Sequence, residues 1–361
     1  MHSPLSPSIE TSSLESPRRL LIVRLGAMGD IIHTLPAAVA LRNALPDTNL
    51  GWLVEERWAE LLCALSEPRS GPRSARRPGV DKIHTVNTRT WRKSPFSIQT
   101  WEQIAAGLSE LRAPQYEVAV DFQGALRSAL LARWSGAPVI YGFAQPRENV
   151  ASMFYSRQVI ARGRHIVQQN LSLAEDIVRH PLQLERAEFP QDAGTNTGPQ
   201  SDTPFALMNP GAGWGAKQWP AERYGEVARE LAKDGLRTLI NCGPGEDNVV
   251  RAVEQASGGT AQRIACSITE LIALTRRARL LIGGDTGPMH LAAALQIPVV
   301  AIFGPTDPAR NGPFGTRSIV LRSPSSQTSH SHRMQPDQGL LTITSAEVVA
   351  AARELLRSSR G

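Results

Sequence analysis

Cysteines, long apolar runs and aromatic residues are all scarce in this sequence of 361 residues, and each scarcity excludes a class of protein. The three cysteines, Cys63, Cys242 and Cys266, are too widely spaced for a metal or redox pattern, as is usual in a reducing compartment. No window approaches the roughly 18 uncharged apolar residues that span a bilayer. Aromatic residues make up 5% of the chain and no nucleic-acid-binding motif occurs, so we expect no nucleic-acid partner. The G-x-x-x-x-G-K-[ST] loop of P-loop ATPases is also missing.

Composition along the chain predicts two domains. A length of 361 residues is too great for one ordinary core. Residues 1–18 are rich in Ser and Pro and lack the apolar segment of a signal peptide, which predicts a disordered leader on a cytoplasmic protein. Residues 191–204 are rich in Gly, Thr and Pro and predict a linker. The predicted domains are therefore residues 19–190 and 205–361.

Both predicted domains alternate short apolar runs with helical patterns. RLLIVRL, LGWLVEE, KIHTVN, YEVAVDFQ and VIYGF predict strands in the first half, and FALMNPG, RTLINCG, RLLIGGD and PVVAIFG do so in the second. Nearly continuous apolar strands joined by helices are typical of parallel sheets covered on both faces. The predicted fold class is α/β, with two doubly wound Rossmann-like domains facing across a cleft. We predict a last helix over residues 345–356, which could pack back on the N-terminal domain.

A carboxylate follows the first predicted strand. The stretch LIVRLGAMGDIIHTLP, residues 21–36, passes from an apolar strand through glycines to Asp30 at the start of a helix. Asp is a common helix cap, because it accepts hydrogen bonds from free N–H groups and complements the helix dipole. Alternatively, Asp30 belongs to a ligand site at the carboxyl end of a parallel strand, where open α/β sheets bind their substrates.

Strand-end turns suited to anions recur in the second half. NPGAGWGAKQWP follows a strand, and its glycines allow backbone N–H groups to approach a phosphate while Lys217 adds a charge. GGDTGPMHLAAAL places Asp285, Thr286, Gly287 and His290 at a strand end and a helix start, where amides accept a diphosphate and the carboxylate accepts sugar hydroxyls. With GPGED and FGPTDP, these turns predict a nucleotide cleft, although each alone is explained by helix capping or a plain loop.

The positive charge is concentrated in one segment. Residues 67–93 hold eight Arg or Lys and two acids, an excess of six that equals the formal charge of +6 for the whole chain. For residues 69–77, a solvated loop and a site for an anionic partner are equally good interpretations. TRTWRK, which carries Arg89, Arg92 and Lys93, is more typical of a site for an anionic partner.

Together these motifs resemble glycosyltransferase family 9, the lipopolysaccharide heptosyltransferases. The matching stretches run in order along most of the chain: RLGAMGDIIHTLPA, WLVEERW, TWRK, DFQGALRSA, PRENVASMFYSR, GAKQWP, GGDTGPMHLAAAL and FGPTDP. HTLPA, WLVEE and ENVASMFYSR favour the type I enzymes of the family over type II. The Ser/Pro leader, the Arg-rich stretch EPRSGPRSARRPG and the SHSHRM loop depart from the family without touching a motif.

The resemblance implies a GT-B fold and inverting transfer without a metal or cofactor, from ADP-L-glycero-β-D-manno-heptose to a Kdo sugar of Kdo-lipid A. It implies that Asp30 is the catalytic base, and we expect Gly29 to leave room for the acceptor. The implied donor-binding residues are Lys217, Asp285, Thr286, Gly287 and His290, with either Glu246 or Asp247. The residues implied to face the acceptor are Arg89, Arg92, Lys93 and Arg147.

The remaining expectations concern partners and rival functions. We expect a monomer in peripheral contact with the anionic inner face of the cytoplasmic membrane. Three rivals stay open: type II transfer to heptose, a nucleotide-sugar 2-epimerase, and a non-catalytic module that binds a sugar nucleotide or lipid.

Overall fold

The computed structural model describes residues 16–191, 203–329 and 335–357. Most of the predicted leader (1–18) and most of the predicted linker (191–204) lie outside these ranges. Within them, no helix is both long and apolar enough to cross a membrane.

A six-stranded parallel sheet forms the centre of the first half. Its strands are β1 (Arg19–Val23), β2 (Asn49–Glu55), β3 (Lys82–Val86), β4 (Val118–Asp121), β5 (Val139–Phe143) and β6 (Arg157–Val159). Their spatial order is β3-β2-β1-β4-β5-β6. The helices of this half are α1 (Met28–Ala44), α2 (Thr88–Lys93), α3 (Ile98–Arg112), α4 (Leu126–Trp134) and α5 (Ile166–Val178).

The second half repeats this topology. Its strands are β7 (Phe205–Asn209), β8 (Arg237–Asn241), β9 (Ala261–Ile264), β10 (Leu280–Gly284), β11 (Val299–Phe303) and β12 (Ser318–Arg322), in the order β12-β11-β10-β7-β8-β9. Its helices are α6 (Ala221–Lys233), α7 (Asp247–Ala256), α8 (Ile268–Arg277), α9 (Gly287–Ala294), α10 (Pro308–Asn311), α11 (Gln338–Thr342) and α12 (Ser345–Arg357). The predicted fold class, two doubly wound parallel α/β units, is confirmed.

Each sheet is covered by apolar side chains on both faces, as expected for parallel strands. The first core continues across the boundary between the halves, because Leu271 and Leu291 of the second half belong to the same buried cluster as Ile31 and Leu35 of α1. The two halves are therefore joined by packed apolar surface as well as by the chain.

The final helix, α12, packs against α6 and the strands β10, β11 and β12 rather than on the N-terminal half. Its apolar side chains Val348, Val349, Ala352 and Leu355 are buried in the core of the second half. The apolar stripe of α12 thus covers the sheet nearest to it in the chain, which is a correction to the sequence-based expectation.

Candidate active site

In each sheet, the strand order produces one crevice. It lies where the chain connections that follow two neighbouring strands leave toward opposite faces of the sheet. In the first sheet it lies between the carboxyl ends of β1 and β4, and in the second between those of β7 and β10. Open α/β sheets bind ligands at this switch point. The turns at both switch points line a single cleft of about 860 Å³ between the halves.

Asp30 lines this cleft from the first half. It occupies the third position of α1, where its Oδ2 accepts a hydrogen bond of 3.0 Å from the N–H of Ala27. Its Oδ1 lies 3.0 Å from Nη2 of Arg24, whose side chain is only 6% exposed, whereas the Asp30 side chain is 40% exposed. Asp30 therefore caps its helix and also presents carboxylate surface to the cleft, so the two interpretations of this residue are compatible.

Lys217 and Asp285 form an ion pair on the opposite wall. Lys217 Nζ lies 2.5 Å from Asp285 Oδ2, and the two side chains are 11% and 7% exposed. The other carboxylate oxygen, Oδ1, lies 3.1 Å from Nε2 of His290. Burial acts to raise the pKa of Asp285, but His290 and Lys217 outweigh it and hold that pKa well below its usual range. The carboxylate is thus charged at neutral pH and anchored on both oxygens.

Helix α9 begins at the same wall. Thr286 is the residue before its first turn, and Gly287 and His290 lie in that turn. Asn209, at the end of β7, donates a hydrogen bond of 3.2 Å from Nδ2 to the Thr286 hydroxyl, which ties the β7 turn to the β10 turn. The cleft therefore combines a helix N-terminus, a lysine and a carboxylate, which suits an anionic ligand that also carries hydroxyls.

Thr306 is a cleft residue that sequence reasoning missed. It lies in the FGPTDP turn after β11 and lines the cleft together with Arg310. Its side chain is buried, and its hydroxyl has no hydrogen-bond partner among the described residues. A buried unpaired hydroxyl is costly unless a ligand or water completes it, so Thr306 is a candidate for contact with whatever fills the cleft.

The structure separates the two acidic candidates that sequence left open. Glu246 accepts a hydrogen bond of 2.8 Å from the N–H of Gly243, and its carboxylate fills the space where Gly211 has no side chain. Asp247 instead pairs with Arg263 at the surface. Neither is among the described residues that line the main cleft. Of the two, Glu246 faces the glycine-rich β7 turn and is the better candidate.

A basic pocket of about 360 Å³ adjoins the cleft. Its described lining residues include the predicted Arg89, Arg92 and Arg147 and also Arg57 and Arg127, which sequence reasoning missed. Lys93 is not among them. Asp30 and Arg147 line both spaces, so the pocket opens into the cleft beside the Asp30 carboxylate.

Gly29 serves a different purpose from the expected one. A Cβ placed on Gly29 would lie 2.6 Å from Cδ2 of His290, and one on Gly287 would lie 2.6 Å from Sδ of Met28. The space beside Gly29 is therefore filled by a side chain of the second half rather than left for an acceptor. The two glycines allow the starts of α1 and α9 to touch.

Within the described ranges, no three His, Cys, Asp or Glu side chains come together as a metal-ligand set.

Comparisons with known proteins identify the family and the fold. The model of a protein family described as "Glycosyltransferase family 9 (heptosyltransferase)" matches residues 105–340. Lipopolysaccharide heptosyltransferase 1 of Pseudomonas aeruginosa is 30% identical over 84% of this chain and 84% of its own length. The structure of the Escherichia coli heptosyltransferase WaaC with ADP has a TM-score of 0.77 and 26% identity, covering 93% of this chain and 99% of its own. WaaC with ADP-2-deoxy-2-fluoro heptose gives a TM-score of 0.73 with the same coverage. The expected GT-B fold is confirmed by these matches.

Proposed function

The chain belongs to glycosyltransferase family 9, the heptosyltransferase family, and on that premise we propose that it transfers L-glycero-D-manno-heptose from ADP-heptose to Kdo of Kdo-lipid A. The observation that carries the proposal is the cleft itself. An exposed carboxylate, Asp30, lines one wall, and the Lys217–Asp285 pair lines the other.

The chemistry follows from this arrangement. Asp30 takes the proton of an acceptor hydroxyl as that oxygen attacks the anomeric carbon of the heptose. The bond from that carbon to the diphosphate breaks, and ADP leaves with the bonding electron pair. Attack from the Asp30 side and departure toward the Lys217 side invert the anomeric configuration.

The donor is proposed to lie against the second half. Lys217 and the N-terminus of α9 face the diphosphate, so they neutralise the charge that builds as ADP departs, in place of a divalent metal. Asp285 accepts hydrogen bonds from heptose hydroxyls, and Thr286, Gly287 and His290 complete that wall. Glu246, beside the glycine-rich turn, is the proposed acidic contact to the nucleotide part. The bound ADP and ADP-heptose analogue named for WaaC support this donor class.

The acceptor is proposed to enter from the basic pocket. Arg89, Arg92 and Arg147, with Arg57, present guanidinium groups that suit the phosphates and carboxylates of Kdo-lipid A. The junction of pocket and cleft at Asp30 supports a route for the acceptor hydroxyl to the base. The relative named heptosyltransferase 1 supports type I over type II transfer.

We also propose that the monomer contacts an anionic membrane through an apolar face beside the basic pocket, formed by Phe96, Ile98 and Trp101. These side chains are 96%, 77% and 62% exposed. Trp101 donates a hydrogen bond of 3.0 Å from Nε1 to the carbonyl of Pro95, which ties the Trp101 side chain to the residue before Phe96. Exposed aromatic and aliphatic side chains next to cations are typical of proteins that lie at a lipid interface.

A vesicle flotation assay tests this contact. With vesicles of phosphatidylethanolamine and phosphatidylglycerol, replacing the three apolar residues by Ser should lower binding by about 10-fold or more. The matched control replaces Met153 and Ile160, which are as exposed and lie near β6 at the opposite edge of the sheet. Equal loss in the control, or no loss in either, would contradict the proposed face.

The activity itself is tested by incubation with ADP-heptose and Kdo2-lipid A, reading ADP release, product mass and anomeric configuration. Formation of a 2-epimerised sugar nucleotide without acceptor would favour an epimerase instead. Tight donor binding without ADP release would favour a non-catalytic module, and transfer only to a heptosylated acceptor would favour type II activity.

A further inference from the structure

A chain of hydrogen bonds crosses from the first half into the proposed donor site. Nε2 of His33, on α1, lies 3.1 Å from Nδ1 of His290, on α9. His290 Nε2 in turn lies 3.1 Å from Oδ1 of Asp285, whose Oδ2 pairs with Lys217. Both rings are buried, at 6% exposure each. The donor wall is thus connected to a side chain that the opposite half supplies.

The protons in this chain have two consistent arrangements, which differ in whether His290 carries one proton or two. Asp285 is ionised and only accepts, so His290 must donate from Nε2. A neutral His290 accepts the Nε2 proton of His33 at its Nδ1, whereas a protonated His290 donates from Nδ1 to Nε2 of His33. The groups around His33 favour its neutral form: burial, then the charges of His290, His165 and Arg24, lower its pKa well below the usual value, and only Asp285 opposes them. In both arrangements His290 donates to Asp285 and shares one proton with His33 through Nδ1.

The first half also fixes the two rings sterically. The absent side chain of Gly29 leaves the space that the edge of His290 occupies. Asn170 of α5 donates a hydrogen bond of 3.0 Å from Nδ2 to the His33 carbonyl, and the His165 ring packs edge-on against His33 at 5.5 Å between centroids. His33 is therefore held from its own half while it holds His290.

We propose that His33 is a positioning residue that, through His290, fixes the Asp285 carboxylate for the sugar of the donor, so that the donor site is complete only when the two halves meet. This inference rests on the proposed function, because it assumes that Asp285 binds the transferred sugar. The second half then binds the sugar part of the donor, and a side chain of the first half positions the carboxylate that binds it.

Two substitutions at His33 separate positioning from packing. His33→Leu keeps a buried side chain but removes the hydrogen-bond partner of His290 Nδ1. His33→Gln retains an amide group that can donate to that nitrogen or accept from it. Titration calorimetry with ADP and, separately, with ADP-heptose should show that Leu weakens ADP-heptose about 10-fold, while ADP, which lacks the sugar, changes by less than about threefold. Gln should recover most of the ADP-heptose affinity.

His84→Leu is the matched control, because His84 is also buried and hydrogen-bonded, at 2.8 Å from Tyr116 Oη, but lies on β3. It reports the general cost of deleting a buried histidine. Equal weakening of ADP and ADP-heptose by His33→Leu, or failure of Gln to recover affinity, would reduce His33 to a packing role. Wild-type protein that neither binds ADP-heptose nor releases ADP would instead overturn the proposed function, so the two failures are distinct.

Discussion

Arg24 and Asp30 form an ion pair at the mouth of the cleft, with Nη2 and Oδ1 3.0 Å apart. Arg24 is buried and also donates to the carbonyl of Phe122 at the end of β4, so it is fixed to the sheet. The pair therefore sets the direction of the Asp30 carboxylate relative to the switch point of the first sheet.

The first prediction concerns Asp30→Asn. The amide oxygen of Asn can still accept the hydrogen bond from the Ala27 N–H but cannot take up a proton as a base, so kcat should fall by about 10²- to 10⁴-fold with ADP affinity unchanged. Asn also leaves buried Arg24 without its counter-charge, so a lower melting temperature is expected. Arg24→Gln breaks the same ion pair while keeping the base, and its kcat should fall far less. If Asp30→Asn turns over within about threefold of wild type, the carboxylate is structural.

Lys217→Ala should weaken donor binding. It removes a charge-assisted contact to the diphosphate, which corresponds to about 1.5 to 3 kcal/mol or roughly 10- to 150-fold in affinity. Calorimetry with ADP measures the effect. Lys233→Ala is a suitable control, because Lys233 is an exposed lysine at the end of α6. Unchanged donor affinity and turnover in Lys217→Ala would show that the lysine does not contact the donor.

Neutralising the basic pocket should act on the acceptor alone. Arg89→Gln with Arg92→Gln should raise the acceptor KM and reduce its dependence on salt, because screened charge attraction is lost, while ADP affinity stays constant. Lys93→Gln should have a smaller effect, since Lys93 does not line the described pocket. Steady-state kinetics with detergent-dispersed acceptor at two ionic strengths test this, and an equal loss of ADP affinity would count against an acceptor role.

Chelation should leave turnover intact. In the proposed mechanism Lys217 and the α9 N-terminus stabilise the departing diphosphate, so no divalent ion is needed. ADP release in excess EDTA should match release in buffer containing Mg²⁺. Complete loss in EDTA with recovery on adding Mg²⁺ would contradict the metal-free mechanism.

Stability should fall in mild acid. Burial lowers the pKa of His33 and of His165, so below about pH 6.5 the unfolded chain binds protons that the folded protein does not. Stability is therefore full above about pH 6.5 and is lost as the pH falls toward the lowered folded-state values, by at most about 1.4 kcal/mol per pH unit for each histidine. Urea unfolding at several pH values measures the slope, and His33→Gln should make it shallower. A flat profile in wild type would contradict the prediction.

Sequence pattern located the central strands and missed three at sheet edges. β6, β9 and β12 each occupy an edge position. All three are partly exposed, and β6 and β9 are only three and four residues long, so they lack the continuous apolar run that marks a strand buried on both faces. The repeated strand order therefore became visible only with the structure.

Within the site, the sequence identified the residues at strand ends. A turn directly follows its strand in the chain, so a short stretch of sequence is enough to recognise it. It could not choose between Glu246 and Asp247, since the choice depends on which carboxylate faces Gly211, a residue distant in sequence. It also gave His33 no role, because the partner of that ring lies 257 positions away. Contacts between the halves leave no periodic signal along the chain.

The contact between the starts of α1 and α9 limits how much bulk the seam between the halves can accept. A Cβ added at Gly287 would meet Sδ of Met28, the end of a flexible side chain that can shift. A Cβ added at Gly29 would meet the His290 ring, which Asp285 and His33 hold from both sides. A single methyl group at Gly29 would therefore act as a wedge between the halves at the donor wall, whereas the same group at Gly287 would be tolerated better.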